Sequence, residues 1–200
     1  MTIPRSEITG LILAGGRGSR MGGQDKGLQN FRGAPLALHA VMRLGPQVGD
    51  LMINANRNLP AYEALEVPVW PDSTPDFAGP LAGMLTGLEH CETPWMVTVP
   101  CDCPLFPLDL VERLASAAQE QGAPVAMVLA PDGPGEPARP QPVFCLIHLS
   151  LADSLSQFLE AGHRKIDQWT AQHPCALVEF DDPMAFANVN TPDDLRRLSA

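Results

Sequence analysis

The chain has 200 residues, of which 45% are hydrophobic and 18% are charged. This composition is typical of a globular domain and excludes a wholly disordered, collagen-like or coiled-coil chain. The formal net charge of −10 argues against a protein that binds a nucleic-acid backbone over a broad surface. No apolar run approaches the roughly 18 residues that a membrane span needs, and the first residues lack a secretion signal. We therefore expect a soluble, cytoplasmic protein that binds neither membranes nor nucleic acid.

The charges and the cysteines are unevenly distributed. Residues 1–60 contain seven basic and three acidic side chains, a net charge of +4, whereas residues 61–200 contain six and twenty, a net charge of −14. An acidic protein therefore has its basic side chains concentrated in the first part of the chain. The five cysteines form an odd set without a C-x-x-C pair, which favours reduced thiols over disulfides or a zinc site.

In chain order, short apolar runs alternate with helical patterns. The first predicted strand, Ile8–Leu13, leads into a glycine-rich turn. The further predicted strands are Leu51–Asn54, Val67–Trp70, Trp95–Val99, Val125–Leu129, Val143–Ile147 and Ala176–Phe180. The predicted helices are Leu81–Glu89, Pro107–Gln121, Leu151–Ala161 and a terminal helix that begins at Pro192. Residues 131–142, rich in proline and glycine, predict a loop.

This alternation of apolar strands and helices predicts an α/β fold with three layers, in which a mostly parallel sheet carries helices on both faces. We expect a single domain over residues 1–200. No internal repeat at a fixed period is present.

The stretch from Leu11 to Leu28, LILAGGRGSRMGGQDKGL, is the strongest functional signal. Its glycines allow backbone N–H groups to approach a phosphate closely, and Arg17, Arg20 and Lys26 supply positive charge. The alternative is a flexible surface loop. The spacing does not match a Walker loop, because no hydroxyl residue follows the lysine, and it does not complete a dinucleotide-binding fingerprint.

The same stretch resembles the sequence motif of nucleotidyltransferases that use a nucleoside triphosphate and release pyrophosphate. With Gly22-Gly23 and Asp25-Lys26-Gly27 it is similar to the molybdenum cofactor guanylyltransferase family. Four further blocks carry the resemblance over nearly the whole chain: INANR at 53–57, PDS at 71–73, GPLAGM at 79–84 and NVNTP at 188–192. The resemblance implies a Rossmann-like nucleotidyltransferase fold, with a nucleotide-binding part at about residues 1–110 and an acceptor-binding part at about 111–200.

The resemblance also implies roles for individual residues. The nucleotide-binding residues would be Leu13, Ala14, Gly15, Gly16, Lys26, Asn54, Asp72, Gly79 and Asp102, and the catalytic residues would be Arg20, Lys26 and Asp102. Asp102 follows a buried strand and would hold Mg²⁺, since a hard carboxylate suits that ion. From the residues alone, Asp102 could instead cap the helix near Pro107, and Asn54 and Asp72 could be ordinary turn residues.

The implied reaction transfers GMP from GTP to molybdopterin, the organic part of the molybdenum cofactor. The acceptor-binding residues would be Arg164, Lys165, Asn188 and Asn190. The alternative for the first two is a basic pair at a helix C terminus, and for the asparagines a cap of the terminal helix. Chaperones specific to molybdoenzymes are a further class of partner. The alternative functions are a cytidylyltransferase that uses CTP and a carrier or insertion chaperone without catalysis.

Overall fold

The computed structural model describes residues 3–15, 25–73, 79–131, 133 and 135–199. The strands are β1 (Ile8–Leu13), β2 (Asn30–Phe31), β3 (Ala34–Pro35), β4 (Asp50–Asn54), β5 (Val69–Trp70), β6 (Trp95–Pro100), β7 (Val125–Pro131), β8 (Ala138–His148) and β9 (Cys175–Glu179). The α-helices are α1 (Leu36–Leu44), α2 (Leu59–Glu63), α3 (Pro80–His90), α4 (Leu110–Gln121), α5 (Ala152–Glu160), α6 (Ile166–Thr170) and α7 (Pro192–Ser199). None of the helices in the described part of the chain has the length and apolar character to cross a bilayer.

Seven of the described strands form one sheet in the order β5-β4-β1-β6-β8-β7-β9. β8 is antiparallel to both of its neighbours, and the remaining pairs are parallel. The chain moves from β1 outward to β4 and β5, then returns to the other side of β1 to form β6. The strand order therefore reverses at β1, and open α/β sheets bind their ligands at the carboxyl ends of strands at such a point.

Helices cover both faces of the sheet, as the sequence predicts. On one face, α1 and α4 pack on Ile8 and Ile12 of β1 and on Val97 and Val99 of β6. On the other face, α3, α5 and α6 enclose Leu11 of β1. Strand β1 is buried on both sides because its residues alternate between these two cores. The predicted three-layer α/β architecture is confirmed.

The predicted loop at residues 131–142 is partly wrong, because most of it belongs to the β7–β8 hairpin. β7 extends to Pro131, which pairs with Ala138, and Leu129 pairs with Pro140. β8 pairs with β6 only from Cys145 to His148. Among the described strands, the part of β8 before Cys145 therefore pairs with β7 alone and forms an edge of the sheet. Proline is tolerated on an edge, since its missing N–H group is not needed by a further strand.

The helix predicted over Pro107–Gln121 begins later, at Leu110. The side chain of Gln47, which follows α1, binds the backbone at the start of α4. It donates to the carbonyl of Pro107 at 3.2 Å and accepts from the N–H of Val111 at 3.0 Å. Gln47 thus satisfies one of the N–H groups that a helix leaves unpaired at its first turn. The last residue agrees with the prediction, because Gly122 has the left-handed φ of 60° that ends many helices.

Candidate active site

Three strands end together at the carboxyl edge of the sheet. Leu13, the last residue of β1, pairs with Asn54 of β4 on one side and with Pro100 of β6 on the other. Just beyond it, the N–H of Ala14 donates to the carbonyl of Asn54 at 2.8 Å, and the N–H of Cys101 donates to the carbonyl of Leu13 at 3.1 Å. These bonds bring the segments that follow the three strands to one place.

Lys26, Asp102 and Asn190 meet at this edge, although they lie far apart in sequence. The ammonium group of Lys26 donates to Asp102 Oδ2 at 3.0 Å and to Asn190 Oδ1 at 2.6 Å. The Lys26 and Asp102 side chains are 25% and 16% exposed, so the ion pair is partly shielded but open to a ligand. Asp102 does not cap α4, whose N-cap residue is Asp109; the helix-cap alternative for Asp102 is wrong.

The segment that carries Asn188 and Asn190 is hydrogen-bonded to the turn that follows β6. The N–H of Val189 donates to the carbonyl of Asp102 at 2.8 Å. The thiol of Cys103 donates to Asn188 Oδ1 at 3.0 Å. Burial, followed by the nearby Asp102 carboxylate, raises the pKa of Cys103 well above its ordinary value, so this thiol stays protonated and acts as a donor.

The asparagine side chains do not cap the terminal helix α7. That helix is capped instead by Thr191, whose hydroxyl accepts from the N–H of Asp194 at 3.1 Å. Asp194 in turn accepts from the N–H groups of Asn190 and Thr191 through Oδ2, the reciprocal pattern of a capping box. The capping alternative for Asn188 and Asn190 is therefore wrong. The side chain of Asn188 contacts Cys103, and that of Asn190 contacts Lys26.

A second polar group lies at the ends of β4 and β5. Asn54, buried at 2% exposure, donates through Nδ2 to Asp72 Oδ1 at 2.9 Å and to the carbonyl of Trp70 at 3.1 Å. Asn56 donates to Asp72 Oδ2 at 2.9 Å and accepts from the Asp72 N–H at 2.7 Å. Asp72 is thus oriented by hydrogen bonds from both asparagines. An ordinary turn residue does not need its carboxylate to be held by two other side chains.

Glycines allow the backbone to approach Asn54 closely. A Cβ at Gly15 would lie 2.9 Å from Asn56 Nδ2 and 3.1 Å from Asn54 Oδ1, and a Cβ at Gly83 of α3 would overlap Asn54 Oδ1. Gly79, at the N-cap position of α3, has a φ of 119°, a value that favours glycine. The segment after β1 and helix α3 itself therefore both approach the same asparagine closely.

Two of the predicted site residues, Gly16 and Arg20, lie outside the described residues, as does most of the glycine-rich turn. Arg164 and Lys165 are exposed and follow α5. The Arg164 guanidinium donates to the carbonyls of Leu159 and His163 at 2.8 and 2.7 Å, which is the arrangement expected of a cation at a helix C terminus.

The donor set fits a lightly coordinated Mg²⁺ ion. Within the described ranges, no three His, Cys, Asp or Glu side chains lie close enough to hold a metal among themselves. Mg²⁺ is ordinarily bound through one or two carboxylates together with water and substrate phosphates. One oxygen of Asp102 and one of Asn190 already accept hydrogen bonds from a cation, the Lys26 ammonium. The oxygen ligands at this position therefore suit Mg²⁺.

Reasoning from the sequence missed three contributors: Asn56, Cys103 as an orienting donor, and Asp25. Asn56 lies inside the INANR block, and Asp25 immediately precedes Lys26, so both stand beside residues that the resemblance singled out. No signal in the sequence pairs Cys103 with Asn188, because 85 positions separate them.

Comparison with known proteins identifies related chains over nearly the full length. A family model described as the MobA-like NTP transferase domain matches residues 10–176. A molybdenum cofactor guanylyltransferase from Acidovorax sp. (strain JS42) is 63% identical, covering 98% of this chain and 97% of the relative. The enzyme of the same name from Methylibium petroleiphilum is 65% identical, with coverages of 98% and 97%. The crystal structure of molybdopterin-guanine dinucleotide biosynthesis protein A from Archaeoglobus fulgidus is 21% identical, with a TM-score of 0.74 over 96% of both chains, and shows the same fold.

Proposed function

Because the chain belongs to the MobA-like NTP transferase domain family, we propose that it transfers GMP from GTP to molybdopterin and releases pyrophosphate. The geometry that supports this proposal best is the meeting of Lys26, Asp102 and Asn190 at the carboxyl ends of β1 and β6. A cation is held there within hydrogen-bond distance of an anion and of a neutral amide. Such a group suits the neutralisation and positioning of phosphates.

In the proposed reaction an oxygen of the terminal phosphate of molybdopterin forms a bond to the α-phosphorus of GTP. The bond between the α-phosphorus and the oxygen that bridges to the β-phosphate breaks, and pyrophosphate leaves with the electron pair. The attacking phosphate already carries about 1.5 to 2 negative charges at neutral pH, so it needs no strong general base. Catalysis then depends on positioning and on neutralising charge.

Within this scheme Lys26 and Arg20 offset the charge that develops on pyrophosphate, and Asp102 would hold Mg²⁺. Mg²⁺, when bound, polarises the phosphate oxygens and orients them. Asn190 orients Lys26, since its Oδ1 accepts from the ammonium at 2.6 Å. The chain from Leu13, the last residue of β1, through Ala14 to Gly15 and Gly16 would lie along the triphosphate, with the backbone N–H groups of the two glycines directed to its oxygens.

We assign the nucleoside part of GTP to the edge formed by Asn54, Asp72 and Gly79. Asn54 is held by Asp72 and by the carbonyl of Trp70, so its side chain is oriented before the nucleotide arrives. Asp72 carries two acceptor oxygens, each of which retains capacity for a further donor. Gly79 leaves the approach to the first turn of α3 open on the side of the described residues, none of which has an atom within 4 Å of a Cβ placed there.

On the acceptor side we assign Asn188, Asn190, Arg164 and Lys165. Arg164 and Lys165 follow Gly162, whose φ of 85° turns the chain at the end of α5. We expect the double variant Arg164→Ala and Lys165→Ala to raise the KM for molybdopterin at least about tenfold, the scale of one or two charge-assisted contacts. The affinity for GTP, measured by calorimetry, should change less than twofold. An unchanged KM for molybdopterin, or an equal loss of GTP affinity, would place the pair outside the acceptor site.

The test of the proposed function combines the purified chain with Mg²⁺, GTP and molybdopterin, and measures pyrophosphate together with the dinucleotide product. We expect one pyrophosphate for each dinucleotide formed, and GTP to be used in preference to CTP when both are present. Preference for CTP would indicate the cytidylyltransferase. Binding of molybdopterin without pyrophosphate release would indicate a carrier.

A further inference from the structure

A buried carboxylate immediately precedes the catalytic lysine. Asp25 is 8% exposed, and its Oδ1 accepts from the hydroxyl of Tyr62 at 2.5 Å and from the N–H of Gly27 at 3.2 Å. Its Oδ2 accepts from Asn58 Nδ2 at 3.0 Å and lies 3.7 Å from Arg57 Nε. One carboxylate thus joins the short turn after the glycine-rich stretch to the segment that follows β4.

The partner hydroxyl is itself rigidly placed. Tyr62, on α2, is fully buried, and a Cβ at Gly27 would overlap its oxygen. Burial, then the neighbouring Cys101 and the Asp25 carboxylate, hold the pKa of Tyr62 far above its ordinary value. The hydroxyl therefore stays protonated and donates at all working pH values. Hydrogen bonds from a buried hydroxyl to a carboxylate are short and among the stronger ones in proteins.

Lys26 lies between Asp25 and Gly27, whose positions are held by the contacts with Tyr62. Lys26 begins a three-residue 3₁₀ turn, Lys26–Leu28, whose N-cap is Asp25. A lysine side chain has four rotatable bonds, so its ammonium can be placed accurately only if the backbone beneath it is fixed. The contacts of Asp25 fix that backbone from a separate part of the chain.

On the basis of the function proposed above, we propose that Asp25 and Tyr62 form a lock that positions Lys26 for guanylyl transfer. Tyr62 and Asp25 are positioning residues in this scheme. Asn58 completes the lock in its left-handed conformation, with a φ of 52°.

The first test observes Lys26 directly and does not depend on activity. Lys26 and Lys165 are the two lysines of the chain, so the protein labelled with ¹³C at the lysine ε-carbon gives two sets of signals, assigned by comparison with Lys165→Arg. In the wild type we expect the two ε-methylene protons of Lys26 to be inequivalent and those of the exposed Lys165 to be averaged. Tyr62→Phe removes only the hydroxyl. In this variant we expect the signals of the two ε-methylene protons of Lys26 to become averaged. Lys26 signals that stay unchanged in Tyr62→Phe would overturn the lock.

A second variant and a matched control separate the lock from a general loss of stability. Asn58→Gly removes the donor to Asp25 but keeps a backbone that tolerates positive φ, and should change the Lys26 signals in the same direction. Thr9→Val also deletes a buried hydroxyl, one that lies 2.7 Å from Thr93 Oγ1 at the start of β1. It should leave the Lys26 signals unchanged. An equal effect of Thr9→Val would show that the signals report stability alone and would overturn the proposal.

The kinetic test is a double-mutant cycle between Tyr62→Phe and Lys26→Ala. We expect Tyr62→Phe to lower kcat about tenfold with the KM for GTP changed less than about twofold, because a displaced lysine loses contacts made in the transition state. In the Lys26→Ala background, the same substitution should lower kcat less than about twofold. Independent, multiplying effects would overturn the lock. Absence of transfer by the wild type would instead overturn the proposed function, while the lysine spectra would still decide the lock.

Discussion

At the scale of single residues, the site is organised around one cation held by two oxygens. The Lys26 ammonium lies 3.0 Å from Asp102 and 2.6 Å from Asn190. Each contact joins segments from different parts of the chain, so the loss of one side chain affects a site built by all three. Substitutions of Lys26 and of Asp102 separate the role of the cation from that of the anion.

Lys26→Ala should lower the transfer rate at saturating GTP by at least about 10²-fold, the scale of losing one preoriented charge at a reacting phosphate. Steady-state release of pyrophosphate measures this effect. Arg196→Ala is the control, since Arg196 is exposed on α7 and its ion pair with Asp193 is a surface one. Near-normal rates for Lys26→Ala would remove the lysine from the mechanism.

Asp102→Asn should keep the fold but lose most of the metal-dependent activity, because an amide preserves the shape of the side chain and removes its charge. A titration of activity with Mg²⁺ should show a requirement shifted to higher concentration. Asp109→Asn, at the exposed start of α4, should titrate like the wild type. A Mg²⁺ dependence of Asp102→Asn that matches the wild type would exclude the carboxylate as the metal ligand.

At the scale of elements, helix α3 packs against the ends of β1 and β4 through a glycine. A Cβ at Gly83 would lie 2.7 Å from Leu13 Cδ2 and would overlap the Asn54 side chain, which is held by its own hydrogen bonds. The helix can therefore lie this close to the site only if residue 83 has no side chain. The small residue determines where the first turn of α3 meets the proposed nucleotide edge.

Gly83→Ala should consequently destabilise the protein by about 1–3 kcal/mol, the usual range for overpacking a core, less the gain of up to about 1 kcal/mol from the higher helix propensity of alanine. It should also weaken GTP binding, because Asn54 must move. Chemical denaturation and calorimetry measure the two effects. Gly133→Ala is the control, since in the described part of the chain no atom lies within 4 Å of a Cβ placed there. Unchanged GTP affinity in Gly83→Ala would separate α3 from the nucleotide site.

At the scale of the whole molecule, the pH dependence of stability follows from the buried thiols. Burial raises the pKa of Cys101 and Cys103 well above the ordinary value and raises that of Cys145 to about 12. In the unfolded chain these thiols ionise near pH 8.5 to 9, whereas in the folded protein they stay protonated. Above that pH the unfolded state binds fewer protons, so the free energy of unfolding decreases as pH rises.

The expected slope between about pH 9 and the folded pKa is about 1.4 kcal/mol per pH unit for each such thiol. Urea unfolding at pH 7.5, 9 and 10 measures it. Cys145→Ala should show a slope that is shallower by one thiol, while its stability at pH 7.5 serves as the reference. Equal slopes in the variant and the wild type would mean that Cys145 ionises alike in the folded and unfolded chain.

The sequence by itself determined the three-layer α/β class and most strands, because apolar runs such as Ile8–Leu13 and Trp95–Val99 are too short for helices and are bounded by turn residues. It also singled out Lys26, Asp102 and Asn190, through their motifs. It did not predict α1, whose residues are apolar on nearly every side, or the proline-containing end of β8, which is stable only as an edge beside β7.

Only the tertiary structure decided which residues meet. The contact of Lys26 with Asn190 spans 164 positions, and that of Cys103 with Asn188 spans 85. The lock of Asp25 by Tyr62 likewise depends on the placement of α2 beside the turn before α1. Local patterns carry the period of a strand or helix and the identity of a motif. The distance between two distant segments depends instead on the strand order of the sheet, which brings the ends of β1, β4 and β6 together at one edge.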